Sequence, residues 1–197
     1  MNKKIEKAIE FFKDGGIVIF PTDTAIGIGC RIDSEKSIKR LFKIRKRSEN
    51  KPLLVLVNSV EMAERYLLPI SKKVKNKLIK CYWPGKLTII LKCNPNKVLF
   101  PVRDKRNTLG VRFPNNPILL KLIEEVGVPI VAPSANFSGE KTPFEFEGLN
   151  PDLVKKADFI LDEEIGSGRD ISTVIDCTIE PWKIIRQGAA KISNSNF

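Results

Sequence analysis

The chain has 197 residues, 42% of them apolar and 29% charged, with 12 glycines and 13 prolines; this fits one globular domain with a sizeable core and excludes a disordered or fibrous chain. Lys and Arg outnumber Asp and Glu by 34 to 23, a net charge of +11 that favours anionic partners such as nucleotides, RNA or acidic lipid without choosing among them. There is no histidine, which removes Ser-His-Asp and Cys-His nucleophile systems, His-based zinc sites and imidazole proton transfer, and leaves carboxylates, lysine, a metal or electrostatic stabilisation as the available chemistry.

Ile5, Ala8, Ile9 and Phe12 recur at helical spacing, so a helix is expected over 4–13, stopped by Gly15-Gly16. The apolar run Ile17-Val18-Ile19-Phe20, bounded by Gly16 and Pro21, predicts a buried strand. The loop Pro21-Thr22-Asp23-Thr24 leads to a second short strand over 25–30. Helical spacing returns over 35–46 through Ile38, Leu41 and Phe42, with Asp33 or Ser34 as cap. A polar, cationic segment over 45–51 precedes a strand over 52–57. A helix is expected from Asn58 or Ser59, because Asn58 and Glu61 have capping-box spacing, and another over 71–81. Trp83-Pro84-Gly85 breaks the pattern before strands over 87–91 and 109–113. Asn116-Pro117 opens a helix to about Val126, followed by a strand over 129–132 and a loop over 133–139. The last strands are expected at 159–161, 173–176 and 183–186, and 190–197 reads as a frayed polar tail. This alternation of strands and helices, without repeat, linker or break in composition, predicts a single α/β domain with a mixed sheet and packed helices.

The four cysteines, Cys30, Cys81, Cys93 and Cys177, form no CxxC pair, so reduced, mostly buried thiols in a cytosolic protein are expected. No apolar run approaches the roughly 18 residues of a membrane span, and the first residues are charged without an apolar stretch behind them. A cytoplasmic protein with its natural N-terminus and no membrane partner is the expectation.

Two phosphate-binding devices are missing. Gly85-Lys86 lacks the upstream glycine of a P-loop, and Gly27-Ile28-Gly29 is followed by Ile32 where a dinucleotide fingerprint requires glycine. The segments that could carry chemistry are expected in loops at strand ends, where open α/β sheets bind ligands. Thr22, Asp23 and Thr24 could orient a small polar ligand or cap their own turn. Arg45-Lys46-Arg47, with Lys51 close by, could clamp a polyphosphate or simply complement a helix C-terminus. Ser134 and Asn136 point the same way from an extended segment and could bind phosphate oxygens or cap the next turn. Arg112, between Val111 and Phe113, is costly to bury without an anion, which is either an internal carboxylate or a ligand's. Ser172-Thr173 and Arg186-Gln187-Gly188 are weaker versions of the same pattern.

Read together and in order, these stretches resemble the YrdC-like family, the threonylcarbamoyl-AMP synthases. The resemblance rests on GGIVIFPTDTAIGIGC at 15–30, the cationic segment ending in KPLLVLV at 45–57, WPGKLTIIL at 83–91, GVRFP at 110–114, PSANFSG at 133–139, STVID at 172–176 and IIRQGA at 184–189. It covers nearly the whole chain and implies one YrdC-like domain over 1–197, built as an open twisted mixed sheet around a large basic cavity. It implies synthesis of threonylcarbamoyl-AMP and pyrophosphate from L-threonine, bicarbonate and ATP with Mg2+ held by the phosphates, for tRNA modification. Contact with tRNA or with the transferase that takes the product follows from the same resemblance.

The family signature is Lys-x-Arg followed downstream by Ser-x-Asn. Ser134 and Asn136 match it, as does Arg47, five residues before Pro52-Leu53; Arg45 stands at the lysine position and Ser48 where proline is usual. Lys43-Ile44-Arg45 spells the motif too, two residues out of register. The resemblance implies Arg45, Arg47, Ser134 and Asn136 as catalytic, and the same four with Lys51, Thr108, Thr142 and Arg186 as ATP-binding. It implies Thr22, Thr24, Arg112 and Ser172 as threonine-binding. The alternatives are a non-catalytic RNA-binding protein of tRNA or ribosome maturation, which the charge supports but the lack of an aromatic-rich strand opposes, and a carbamoyl-phosphate-using relative of the same fold.

Overall fold

The computed structural model describes residues 2–163 and 169–192. In chain order the elements are α1 (Lys3–Lys13), β1 (Val18–Phe20), β2 (Gly27–Arg31), α2 (Glu35–Ile44), β3 (Leu54–Leu56) and α3 (Val60–Glu64). There follow α4 (Lys72–Val74), a π-helical turn (Lys75–Ile79), α5 (Lys80–Tyr82), β4 (Leu87–Lys92), β5 (Thr108–Arg112), α6 (Pro117–Val126) and β6 (Ile130–Val131). A 3-10 turn (Phe146–Gly148), α7 (Pro151–Val154), β7 (Phe159–Ile160), β8 (Thr173–Asp176) and β9 (Lys183–Arg186) complete the described chain.

The helices form where apolar spacing and a capping side chain coincide. In α1, Ile5, Ala8, Ile9 and Phe12 bury one face, and Asn2 accepts from the backbone N–H of Lys4. Ser34 caps α2 and Asn116 caps α6, which begins at Pro117 and closes on Gly127 at φ 80°. At α3 the cap is Ser59, accepting from Met62, and not Asn58. α2 stops at Ile44, two residues short of the expected end, with Arg45 as its C-cap and Lys46 at φ 49°. The 71–81 helix is present but carries the π-helical turn, and the 3-10 turn and α7 are additions to the expected elements.

The nine strands of the described chain form one mixed sheet in the order β7-β1-β2-β6-β3-β5-β4-β8-β9. The pairs β1–β7, β3–β5 and β4–β8 are parallel and the rest antiparallel. Strand crossovers bring residues far apart in the chain into cross-strand rows on one face. Leu54 pairs with Gly110, which pairs with Ile90. Thr88 pairs with Val174, which pairs with Arg186. β1 and β2 are buried throughout except Arg31, as a strand covered on both faces should be.

The expected frayed tail is corrected over 190–192. The Ala190 carbonyl accepts from Thr173 Oγ1 at 2.7 Å and from Gln187 Nε2 at 2.7 Å, and Ile192 joins the core; residues 193–197 lie outside the described residues. The cysteines are free, and Cys30 and Cys93 are buried, but Cys177 is half-buried and Cys81 exposed. Among the described residues, no helix is long and apolar enough to cross a membrane.

Gly29 sits where β2 crosses the Val131 carbonyl of β6, and a Cβ there would collide with that oxygen and press on Ile130 and Phe20. Gly29→Ala is expected to cost about 2–3 kcal/mol of stability and lower Tm by roughly 5–10 °C, checked by urea and thermal denaturation.

Candidate active site

Loops at strand ends, as expected, and one face of the sheet together carry the site. Thr108, Gly110 and Arg112 alternate along β5, so all three stand on one face. Thr88 and Ile90 of β4, Val174 of β8 and Leu54 of β3 join Thr108 and Gly110 as the floor of an outer cleft of about 1130 Å³, while Arg112 faces the inner compartment. A smaller inner compartment of about 450 Å³ lies beside it, and Leu54, Pro133, Ser134 and Arg186 line both.

Arg112 anchors the inner compartment. Its residue is 3% exposed, and burial pulls its pKa below the ordinary range, opposed by the charge of Asp23 and reinforced by that of Arg186. Asp23 Oδ1 lies 3.2 Å from Arg112 Nη1 as a charge pair without a directed hydrogen bond, while Asp23 Oδ2 accepts from the Asn115 backbone N–H at 3.2 Å. An internal carboxylate thus stands beside Arg112, one of the two anions the sequence allowed, without taking a directed hydrogen bond from it. Arg112 Nη1 also donates to Thr24 Oγ1 at 2.9 Å, and Nη2 reaches Thr22 Oγ1 at 3.5 Å.

The hydroxyl protons here can be assigned by elimination. Thr22 Oγ1 donates to the Ala25 carbonyl at 2.8 Å. In the 2.9 Å contact between Thr22 Oγ1 and Thr24 Oγ1, Thr24 is therefore the donor. Both protons are committed, so the pair offers a lone pair on Thr24, and not a hydroxyl proton, to an incoming ligand.

On the other side, Arg186 donates to the Ser172 carbonyl from Nε and Nη2 at 3.1 and 2.8 Å and to Ser172 Oγ at 3.1 Å. Ser172 Oγ in turn shares a 3.0 Å hydrogen bond with Thr88 Oγ1. Burial lowers the Arg186 pKa.

Arg45 is the corresponding anchor of the outer cleft. It leaves the last turn of α2, 3% exposed. Nε donates to the Asn136 carbonyl at 3.1 Å and Nη2 to Asn136 Oδ1 at 3.2 Å. Its Nη1 is buried with no hydrogen-bond partner among the described residues. Burial, with Arg47 nearby, brings its pKa down to about 10, so it stays charged at neutral pH. Arg47 is half-buried and turns onto its own loop, donating from Nε to the Lys51 carbonyl and from Nη2 to the Pro52 carbonyl, each at 2.9 Å. Ser134 Oγ donates to Asn136 Oδ1 at 2.6 Å, and Asn136 Nδ2 to the Glu140 carbonyl at 2.8 Å. With both lone pairs of Oδ1 taken, Asn136 holds Arg45 and Ser134 in place.

The expected residues divide as follows. Thr22, Thr24, Arg112 and Ser172 line the inner compartment, joined by Thr142, which the resemblance had grouped with the nucleotide. Arg45, Arg47, Lys51 and Thr108 line the outer cleft. Ser134 and Arg186 stand at the junction of the two. Arg45 and Arg47 line the cleft, whereas Lys43 is exposed on α2 and is not part of that lining, which is the register preferred from the sequence. Sequence reasoning missed Thr88, Asp104 and Arg106. Thr88 was findable from the alternation in Leu87–Lys92; Asp104 and Arg106 lie in a loop with no periodic signal.

The profile of the Sua5–YciO–YrdC family, described as "Telomere recombination", matches residues 10–188. A threonylcarbamoyl-AMP synthase of Bacillus subtilis is 33% identical over 186 residues, 94% of this chain and 53% of that protein. The crystal structure of Pyrococcus abyssi Sua5 complexed with L-threonine superposes with a TM-score of 0.87 at 35% identity, over 93% of this chain and 54% of that one. The structure of Escherichia coli YciO superposes with a TM-score of 0.86 at 26% identity, over 98% of this chain and 92% of that one. The chain thus spans about half the length of the first two.

Removing Arg112 would strand the Asp23 carboxylate in the interior. Arg112→Ala is expected to lose about 3–5 kcal/mol of stability in urea denaturation, and Arg112→Met combined with Asp23→Leu to lose clearly less, because the double variant leaves no unpaired charge. Equal losses in the two proteins would show that the ion pair is not what the fold depends on here.

Proposed function

The chain belongs to the Sua5–YciO–YrdC family, and on that premise we propose that it is an L-threonylcarbamoyladenylate synthase, a nucleotidyltransferase that makes threonylcarbamoyl-AMP and pyrophosphate from L-threonine, bicarbonate and ATP. The observation that carries the reading is the buried, unpartnered Nη1 of Arg45 on the wall of a cleft that opens into an arginine-anchored inner compartment. A buried guanidinium N–H without a partner is a donor kept for an anion.

In this reading the inner compartment takes threonine. Arg112 attracts its carboxylate, and the Thr24 lone pair accepts from its hydroxyl or amine. The outer cleft takes ATP, with the triphosphate toward Arg45, Arg47 and Lys51 and the α-phosphate at the junction near Ser134 and Arg186. The amine nitrogen bonds to the carbon of bicarbonate with loss of water, giving a carbamate. A carbamate oxygen then bonds to the α-phosphorus while the bond from that phosphorus to the bridging oxygen breaks, and pyrophosphate leaves with the electron pair.

Two anionic groups must meet in this step. The demand is for held cations and alignment more than for proton transfer, which a site without histidine can meet. Arginine donors already fixed by Asn136 and Ser172 need little reorganisation as charge develops. Mg2+ carried on the triphosphate would offset further negative charge. The outer wall suits a metal held by phosphate oxygens, because it presents arginines and a lysine, with Asp104 as the carboxylate among its described lining residues. The product is a mixed anhydride to be passed to a transferase acting on tRNA, and the reading assigns the chain to the cytoplasm, with that transferase or tRNA as partner.

Pyrophosphate release from ATP with Mg2+ is expected to require threonine and bicarbonate together, each omission returning it to background. No release with both present would overturn the reading; RNA binding that weakens steeply with salt would then favour a binding role.

The arginine at the lysine position gives a second expectation. Arg45→Lys should keep most activity, and Arg45→Ala should lose about 10²-fold in kcat, on the order of 3 kcal/mol. Lys43→Ala should remain near wild type, and the reverse pattern would move the functional pair to Lys43 and Arg45.

A further inference from the structure

The arginines on the α2 side of the outer cleft are partly committed to the protein itself. Arg45 gives its Nε and one Nη2 proton to Asn136, and Arg47 gives its Nε and one Nη2 proton to the carbonyls of Lys51 and Pro52, which leaves each the Nη1 group and one Nη2 proton for a ligand. Arg106, in the loop between β4 and β5, is less committed. Its Nε donates to Asp104 Oδ2 at 2.9 Å, and its Nη2 lies 3.9 Å from Asp176 Oδ2, beyond hydrogen-bond reach. Neither Nη group makes a hydrogen bond with the described residues, and the side chain lines the outer cleft.

Its placement is fixed by the surrounding loop. Asp104 Oδ1 accepts from the backbone N–H groups of Arg106 at 2.9 Å and Thr108 at 2.8 Å, and the Arg106 carbonyl accepts from Lys92 Nζ at 3.0 Å. Asp104 therefore holds both the backbone and the Nε of Arg106, leaving the outer edge of the guanidinium to turn toward a ligand. The loop adjoins the cationic one, because the Leu53 backbone N–H donates to the Val102 carbonyl at 3.3 Å. Arg106 also borders a side crevice of about 620 Å³ that shares Asn50 and Asp104 with the outer cleft.

We propose that Arg106 is a further phosphate-binding residue, gripping the β,γ end of the triphosphate and the departing pyrophosphate from the β4–β5 loop, with Asp104 as its positioning residue. The assignment rests on the ATP reading above. Arginine suits the task because its free edge presents a fork of donors to phosphate oxygens while Nε stays tied to the carboxylate.

The test pairs kinetics with calorimetric titration of inorganic pyrophosphate into the intact protein. Arg106→Ala should raise KM for ATP and weaken pyrophosphate binding by the same factor, about tenfold, while KM for threonine stays within about twofold. Lys105→Ala, which removes an adjacent cation of the side crevice only, should leave both unchanged. Asp104→Asn keeps an oxygen for the two backbone N–H groups but loses the carboxylate for Nε, and should weaken ATP and pyrophosphate by about threefold. An Arg106→Ala protein indistinguishable from Lys105→Ala overturns the assignment, and wild-type affinities in Asp104→Asn overturn the positioning role. If wild-type protein releases no threonine-dependent pyrophosphate, the synthase reading fails, and the calorimetric comparison still decides whether Arg106 binds phosphate.

Discussion

A guanidinium in the interior has to be neutralised and hydrogen-bonded, and the loops around the inner compartment follow from that requirement at Arg112. Asp23 supplies the charge and Thr22 and Thr24 the acceptors, all from the segment between β1 and β2. Asp23 is in turn held by the Asn115 N–H just before α6. The same segment is fastened to the Ser134 loop, with Ile26 donating to the Pro143 carbonyl and Ala135 to the Ile26 carbonyl. One buried charge thus draws three loops of distant sequence onto a single sheet face.

The outer cleft repeats the logic with a different balance. Arg45 has hydrogen-bond acceptors but no carboxylate: Asn136 takes two of its donors, and Ser138 N–H closes back on the Arg45 carbonyl at 2.8 Å. The result is a fixed positive charge whose Nη1 group is left over among the described residues. Arg112 is internally compensated and Arg45 is not, and this sets the two compartments apart electrostatically. The inner one suits a small ligand recognised by shape and matched polarity. The outer one suits a strongly anionic group whose own charge completes the site.

Much of the architecture was legible in the sequence because it is written in local signals. Ile5, Ala8, Ile9 and Phe12 report α1; Asn116, Pro117 and Gly127 bracket α6; β8 and β9 lie at the expected residues. What was not legible depends on contacts between distant residues. The sequence offers Arg112 either an internal or an external anion, and only the fold brings Asp23 within 3.2 Å. The strand-end loops expected to carry the site do supply Thr22, Thr24, Ser134 and Ser172, but Thr108, Gly110 and Arg112 extend it onto a sheet face, a period-2 signal masked by the mixed character of those residues. Arg106 was passed over because loop arginines carry no pattern, and its neighbours Asp104 and Asp176 converge only through the β4–β8 pairing.

On the proposed reading, threonine and bicarbonate, assembled over the inner compartment, attack the α-phosphate of ATP held in the outer one. The most direct measurement is mass spectrometry of the product formed from 13C-bicarbonate, unlabelled L-threonine and ATP. An adenylate carrying threonine and one heavy carbon, formed in step with pyrophosphate, is expected. An adenylate of threonine without the heavy carbon, or labelled carbamate with no adenylate, would contradict that reading.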